Sequence, residues 1–450
     1  MQLYGLFKRL TTGDGRSLAV KKNIIYSILI KALSIVVSFL LVPMTIGYVS
    51  PELYGVWLTL SSILTWLSFL DFGFSQGMKN KLTEAIAKND WERGKKLVST
   101  TYFMMILIFV PLCIIIQFLI PIVDWCRLLN ISNIYQEDII KTLHVLMAFC
   151  CLQMIVNVVV SVIAAFQRVA LSNSFGVIGN VISLAIIFVL TRLCPPSLLY
   201  LCFSLAAMPI IVTIIASFIL FLGSMKRVSP SLRSVELSLT KDLFALGYKF
   251  FIINIQAVIL YQTTNIIISN VSSPLWVTSY NIAYKYLSIA MMLFTIATQP
   301  LWPAFADAYA RGDNRWMNNA KNKMTKFYFF CLTGCIMMAS VAPWIYKIWI
   351  GENANVPQLM TWIVTLYILV YCWGIFNGIL LVGMSKIKLN TIVATVGMLF
   401  HIPLAYSLSM YIGPYGVIVS MIIINLVYGI VYRIQLNKLL NDTASGIWNE

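Results

Sequence analysis

Apolar residues in this chain come in long unbroken blocks, with polar residues gathered in the short stretches between them. Blocks of about 20 apolar residues, enough to cross hydrocarbon as a helix, fall near 23–47, 54–74, 97–123, 139–166, 175–193 and 197–223. Six more fall near 244–271, 276–300, 325–350, 357–383, 389–410 and 414–437. The pattern predicts an all-α membrane protein of about twelve transmembrane helices. Runs 139–166 and 244–271 are longer than a bilayer requires and are expected to tilt. The connector 224–243 is read as a cytoplasmic linker between an N-terminal lobe, 1–223, and a C-terminal lobe, 244–450, of six runs each.

Composition agrees with lipid as the main solvent: 60% of the residues are hydrophobic and 11% charged, against about 25% charged in soluble domains. The net charge of +16 raises nucleic acid as a partner, but there is no basic domain to carry it, so nucleic-acid binding is not expected. The basic residues lie between the apolar runs. With both termini in the cytoplasm, 25 of the 32 fall on the cytoplasmic side, Arg433 and Lys438 at the cytoplasmic end of the last run counted among them. Three (Arg127, Arg192 and Lys347) fall outside, and Lys31, Lys141, Lys249 and Lys285 fall within runs. This positive-inside bias sets the expected orientation. The first run follows Lys21 and Lys22, is about 25 residues long and ends without an A-x-A site; it reads as a retained helix. The nine cysteines form no CxxC pair, and His144 and His401 are far apart, so apolar packing is expected for these residues and no metal site.

The chain also repeats itself. At an offset of 223, Ser50-Pro51 falls on Ser273-Pro274, Gln76 on Gln299, and Glu84-Ala85 on Asp307-Ala308. Ala87-Lys88 falls on Ala310-Arg311 and Asp90 on Asp313. Farther on, Pro121 meets Pro343 at an offset of 222, and Arg168 and Leu171 correspond with small gaps to Lys386 and Leu389. Two six-helix halves have the same orientation in the membrane. That is the parallel-repeat design of transporters, with the substrate path between the halves.

An ionisable group at the bilayer centre costs at least about 2.5–3.5 kcal/mol unless it meets water or a partner. Lys31 lies eight residues into the first run, about 12 Å deep, in line at helical spacing with Ser27, Ser34 and Ser38. The eighth run repeats this with Asn281, Lys285, Ser288, Thr295 and Gln299. The second run offers Ser61, Thr65, Ser68 and Asp71, and the seventh offers Asn254, Tyr261 and Asn265. The expected site is a central cavity whose cations are Lys31, Lys285 and, nearer the helix end, Lys249. Its polar lining is Ser34, Ser38, Ser68, Asn254, Asn265, Asn281 and Ser288. Packing glue is the competing reading for the Ser and Thr residues, and snorkelling for Lys249. Asp71 is the one acid within a run, so the cavity is expected to be net positive and to favour phosphate or pyrophosphate. Trp57, Tyr261 and Tyr280 are candidate stacking surfaces for sugar, or packing.

The stretch Tyr48 to Asp90 resembles the N-terminal signature of the polysaccharide (Wzx-type, O-antigen) flippases of the multidrug/oligosaccharidyl-lipid/polysaccharide (MOP) exporter superfamily. The matching parts are the Leu53-Tyr54-Gly55 turn, the Leu70-Asp71-Phe72-Gly73 exit and the charged loop after it; the two-lobed organisation extends the resemblance along the chain. It implies a V-shaped MATE-like fold in the bacterial inner membrane. It also implies an undecaprenyl-pyrophosphate-linked oligosaccharide as substrate, moved to the periplasmic leaflet by alternating access. By helix position, Lys31 and Lys285 stand where related flippases carry cavity cations. No cofactor is implied; H⁺ or Na⁺ is the candidate coupling ion, with Asp71 as the candidate coupling residue. Expected partners are membrane lipids and the glycosyltransferases and polymerase of the same pathway. The rivals are a lipid II flippase or a drug/cation antiporter of the same superfamily, and a membrane polymerase or glycosyltransferase. The antiporters use an acid in the first or seventh helix, and neither run has one here. The outer acids Glu52, Asp124, Glu137, Asp138 and Glu352 sit in short connectors without a soluble domain, a poor setting for acid–base catalysis. No Walker motif is present, so direct use of ATP is not expected.

Overall fold

The computed structural model describes residues 15–67, 73–298, 301–351, 355–384, 386 and 388–449, and none of these lies in a strand. The first half of the sequence forms α1 (Gly15–Val49), α2 (Pro51–Leu67), α3 (Phe74–Ala87), α4 (Trp91–Leu119) and α5 (Trp125–Leu129). It continues with α6 (Gln136–Val156), α7 (Val158–Ala165), α8 (Val169–Leu193), α9 (Leu198–Cys202) and α10 (Met208–Leu222). The second half forms α11 (Leu239–Val271), α12 (Pro274–Thr298), α13 (Leu301–Ala310) and α14 (Asn314–Ile350). It ends with α15 (Gln358–Gly383), α16 (Lys388–Ile412) and α17 (Tyr415–Leu440). Each apolar run lies on these helices as far as the described residues reach. Among the described residues, nine helices are long and apolar enough to cross a membrane. The other three long ones, α2, α11 and α12, are three of the four on which the sequence placed polar stripes; the fourth is α1.

By contact, the chain forms two units: Met1–Ser50, Ile63–Cys126 and Ser132–Ile255 make one, and Pro51–Ser62, Arg127–Ile131 and Gln256–Glu450 the other. In the first unit Phe74, Met78 and Leu82 of α3, Leu97 and Phe109 of α4, and Val158, Val159 and Val162 of α7 form one buried cluster. α3 lies so close to α11 that a Cβ on Gly77 would be 2.5 Å from the Leu243 carbonyl oxygen. The 139–166 run, expected as one tilted helix, is broken at Asn157 into α6 and α7. Between α9 and α10 the chain makes a π turn, Phe203–Ala207. There Ser183 of α8 and Ser204 exchange hydrogen bonds with each other's carbonyls, at 2.6 and 3.1 Å.

The linker 224–243 is held to α4. Ser231 N donates to Ser99 Oγ and Glu236 N to Thr100 Oγ1, both at 3.0 Å, and Lys96 Nζ lies 3.3 Å from the Glu236 carboxylate. The Ser238 hydroxyl, and then Lys96, hold the Glu236 carboxyl below the usual range.

In the second unit, α2 starts against the start of α12. A Cβ on Gly55 would fall 1.8 Å from the Pro274 carbonyl oxygen, and Thr278 Oγ1 donates to Pro51 O at 2.5 Å. At the 223-residue offset Gly55 corresponds to Thr278 and Pro51 to Pro274. The contact is therefore self-similar, each helix start meeting the other's proline carbonyl.

The duplication is visible in local structure as well. The stretch read from the sequence as a charged loop after the second run is a helix, α3, and so is the connector after the eighth run, α13. Each ends in the same way. Lys88 N donates to Glu84 O and Arg311 N to Asp307 O, both at 3.1 Å; Asp90 N donates to Ala85 O and Asp313 N to Ala308 O, both at 2.9 Å. The turn residue has positive φ in both, 56° at Asn89 and 69° at Gly312, where Asn and Gly carry the least strain. Asp90 then caps α4 by accepting from Arg93 N at 3.0 Å, and Asp313 caps α14 by accepting from Trp316 N at 2.9 Å. Ion pairs close the set, Lys88–Glu84 at 2.8 Å and Arg311–Asp307 at 3.0 Å. The sequence match of Pro121 with Pro343 has no such local basis: Pro121 lies in a 3₁₀ turn after α4, and Pro343 within α14. Asp90→Ala and Asp313→Ala are each expected to cost about 1 kcal/mol, read as the unfolding midpoint of the purified protein in detergent. An unchanged midpoint in either variant would contradict the equivalence of the two caps.

Candidate functional site

In the first unit, Lys31 on α1 is exposed, and Ser34 and Ser38 are half-buried. The same part of α1 exposes Leu29, Leu33, Val36 and Leu40, each by about half its surface (48–59%). At about 100° per residue, these four form one stripe, and Lys31, Ser34 and Ser38 form another on nearly the opposite side of the helix. One exposed side of α1 thus suits lipid, whereas the other carries a cation and two hydroxyls.

In the second unit the predicted stripes of α11 and α12 meet α2. Asn281 Nδ2 donates to Asn265 Oδ1 and to Val277 O, both at 2.8 Å. Asn265 Nδ2 donates to Ser62 Oγ at 2.8 Å, and Ser62 Oγ to Leu58 O at 2.8 Å. This polar chain ties three helices together with both amides engaged, and a satisfied network of this kind fixes a single packing. Ser62 was missed by the sequence reading, which followed the adjacent Ser61. The serine pair was the available signal.

Lys285 follows Asn281 by one turn and is half-buried. The ion pairs among the described residues are Lys88–Glu84, Lys96–Glu92, Lys96–Glu236, Lys141–Glu137 and Arg311–Asp307; neither Lys31 nor Lys285 takes part. Ser288 Oγ donates to Lys285 O, and Thr295 Oγ1 to Met291 O, both at 2.8 Å. These hydroxyls bond to their own helix. Trp57 and Tyr280, the candidate sugar platforms, are buried at 7% and 5% exposure. Tyr280 stacks on Tyr284, with ring centroids 5.8 Å apart, so both aromatics serve packing.

Ser68 and Asp71 lie outside the described residues, as do the side chains of Lys249, Asn254 and Tyr261. Lys31 belongs to the first unit and Lys285 to the second. Two cations packed among helices were missed. Lys321 was placed in a connector and Arg433 was counted with the cytoplasmic tail, but both lie within helices, α14 and α17. α14 begins at its Asp313 cap, eleven residues before its apolar run, and α17 continues past Arg433 to Leu440.

The family model "Polysaccharide biosynthesis protein" matches residues 20–309. A protein of Salmonella typhimurium, named "Putative O-antigen transporter", is 21% identical over 407 residues, covering 87% of this chain and 91% of its own. Among solved structures, a multidrug resistance MATE family transporter of the MOP superfamily in an inward-facing conformation superposes with a TM-score of 0.76 at 14% identity. That match covers 93% of this chain and 100% of the transporter. A MATE structure in the straight conformation gives 0.61 at 14% identity, covering 97% of this chain and 98% of its own. These likenesses establish the fold, and the family match covers well over half of the sequence. The chain is an integral membrane protein with a MATE-like fold, and it belongs to the polysaccharide biosynthesis protein family.

Proposed function

We propose that this protein is a flippase that carries an undecaprenyl-pyrophosphate-linked oligosaccharide, such as an O-antigen repeat unit, from the cytoplasmic to the periplasmic leaflet of a bacterial inner membrane, with both termini cytoplasmic. The observation that carries the reading is the embedded charge. Lys285 is half-buried on a membrane helix and pairs with no carboxylate among the described residues. An uncompensated cation at membrane depth is costly unless an anion visits it, and a pyrophosphate head group is such an anion. Lys31, on the side of α1 turned away from its exposed apolar stripe, supplies the second cation. Lys249 is a third candidate.

In this mechanism the lysines take the pyrophosphate from the inner leaflet while the prenyl tail stays in lipid. The lobes, residues 1–223 and 244–450, then alternate access. Family membership and the O-antigen name of the Salmonella relative support a glycan cargo. The same charge counts against an organic-cation exporter, and the first and seventh runs lack the acid that such antiporters use. No soluble domain backs the outer acids for an enzyme, and Glu137 is engaged by Lys141 at 2.5 Å.

Asp71 is the proposed coupling residue for H⁺ or Na⁺. Asp71→Asn, expressed in cells lacking the wild-type gene, is expected to reduce surface glycan at least tenfold at equal protein level. Normal surface glycan in that variant removes Asp71 from coupling. The flippase reading itself is tested by deleting the gene. Lipid-linked repeat units are expected to build up on the cytoplasmic face; units that still reach the periplasm unpolymerised would point to a polymerase instead.

A further inference from the structure

Unit two contains a second pair of embedded cations that the flippase reading does not use. Lys321 on α14 is buried, at 9% exposure. Its ammonium donates to Asn318 Oδ1 on its own helix and to Asn437 Oδ1 on α17, both at 3.1 Å. Arg433 lies one turn before Asn437. Its guanidinium carbon sits 5.3 Å from the centroid of Trp373 on α15, and Nη1 is 3.5 Å from Asn377 Oδ1. Trp373 in turn packs on Tyr328 of α14, with ring centroids 5.0 Å apart. The close approach of α15 and α17 that seats Trp373 depends on Gly429, where a Cβ would lie 2.6 Å from the indole. Three helices thus converge on two cations.

Among the described residues no carboxylate pairs with either. Helices α14, α15 and α17 contain no Asp or Glu, and neither does α16, which packs on α17. Of the acids flanking these helices, Asp313 caps α14 through Trp316 N, Asp442 accepts from Asn314 Nδ2 at 3.2 Å, and Asp307 of α13, which packs on α14 and α15, pairs with Arg311. Neither Lys321 nor Arg433 is in any of the ion pairs among the described residues. The lysine has three donors and the arginine five. Two of the three are engaged, and the arginine's single bond, at 3.5 Å, is at the limit of one. Lys321 is buried and Arg433 half-buried, and charge withdrawn from water without a counter-charge is unfavourable, so the set suits an anion with several acceptor oxygens. Near Arg433 the exposed surface of α17 is apolar: Ile430 and Ile434, within about 100° of it around the helix, are exposed at 49% and 42%, as suits contact with acyl chains.

We infer that Lys321 and Arg433 form a binding site for the phosphate group of a lipid, supported by Asn377, Asn437 and Trp373 and separate from Lys31 and Lys285. The phosphate belongs either to an anionic bilayer phospholipid or to the pyrophosphate of a polyprenyl carrier. Both bring the same oxygens, and both place an acyl or prenyl chain along the exposed apolar residues.

The test uses the full chain, purified in neutral detergent, with lipid retention followed by intact-complex mass spectrometry and unfolding midpoints. The probes are phosphatidylglycerol, phosphatidylcholine and inorganic pyrophosphate. Wild type is expected to retain phosphatidylglycerol in preference to phosphatidylcholine, with about a tenfold loss of affinity in Lys321→Gln and in Arg433→Gln. Arg433→Lys is expected to recover part of it. Lys438→Gln, whose ammonium lies over Trp448, is expected to leave it unchanged. Pyrophosphate binding that is lost in the same variants would assign the site to the carrier's head group. Equal binding of every probe by wild type and both glutamine variants overturns the inference, as does an absence of anion-dependent binding in wild type. Arg433→Lys serves as the readout should Arg433→Gln fail to fold. The experiment does not involve transport, so its failure is distinct from failure of the flippase reading.

Discussion

Lys285→Ala is expected to lower surface glycan by about tenfold to a hundredfold at equal protein level, with Lys285→Arg keeping most of it. A hydrogen bond to a charged group is worth about 1.5–3 kcal/mol, and each 1.4 kcal/mol is a factor of about ten in binding or rate. The loss falls on cargo recognition, because no described carboxylate is left unpaired when the ammonium is removed. Stability should hold or rise, since a costly embedded charge is gone. This combination separates a cargo-binding lysine from a structural one, whose removal would lower the unfolding midpoint and the glycan together. Lys31→Ala is expected to follow in direction with a smaller effect, because the Lys31 side chain is exposed where Lys285 is half-buried, and exposed charge is better screened. Wild-type glycan from both alanine variants would mean that the anion is held elsewhere.

Gly55→Ala is expected to be the most damaging single methyl in the second unit. The new Cβ would stand 1.8 Å from the Pro274 carbonyl oxygen and 2.9 Å from Thr278 Oγ1. The first of these is backbone, so no rotamer change relieves it and the starts of α2 and α12 must separate. Overpacking costs about 1–3 kcal/mol and at times more, and parting these helices also lengthens the 2.5 Å bond from Thr278 to Pro51. Farther along α2 is Ser62, so the Asn281–Asn265–Ser62 chain would shift as well. Gly47→Ala is the control: a Cβ there meets nothing within 4 Å, and alanine is the better helix former by about 1 kcal/mol. Gly55→Ala should lower the unfolding midpoint while Gly47→Ala holds or raises it. Similar midpoints for the two would refute the close contact.

The fold was largely legible because length and hydropathy alone specify a spanning helix. The 223-residue offset was legible too, since Glu84, Lys88 and Asp90 recur with the same charge as Asp307, Arg311 and Asp313. What hydropathy could not convey was helix outside the apolar core. α3 read as a charged loop and α13 as a connector, though each buries an apolar face (Met78 and Leu82 in α3, Phe305 in α13) on fewer residues than a span requires. The break at Asn157 was hidden inside a continuous apolar run. It shows as a local turn, with Val160 N bonded to Asn157 O, three residues back, at 3.0 Å.

The site was legible in part. Asn265 and Asn281 were selected by helical spacing, and they do meet. Their partner Ser62 came from a different helix, however, and pairing between helices has no periodicity to read. Lys321 was assigned to a connector and Arg433 to the cytoplasmic tail because they sit near the ends of hydrophobic runs. Their character comes from three helices that lack acids, which becomes visible only once those helices are seen to pack together.

The most direct test of the central claim is translocation by the purified protein in liposomes. Undecaprenyl-pyrophosphate carrying the host's repeat unit is placed in both leaflets, and its exposure to an added glycosidase is followed over time. The account predicts that wild type makes nearly all of the glycan accessible, against about half in protein-free liposomes, and that Lys285→Ala slows the second phase at least tenfold. Wild-type protein that leaves the inner half protected, in a preparation shown to be folded and inserted, would contradict it.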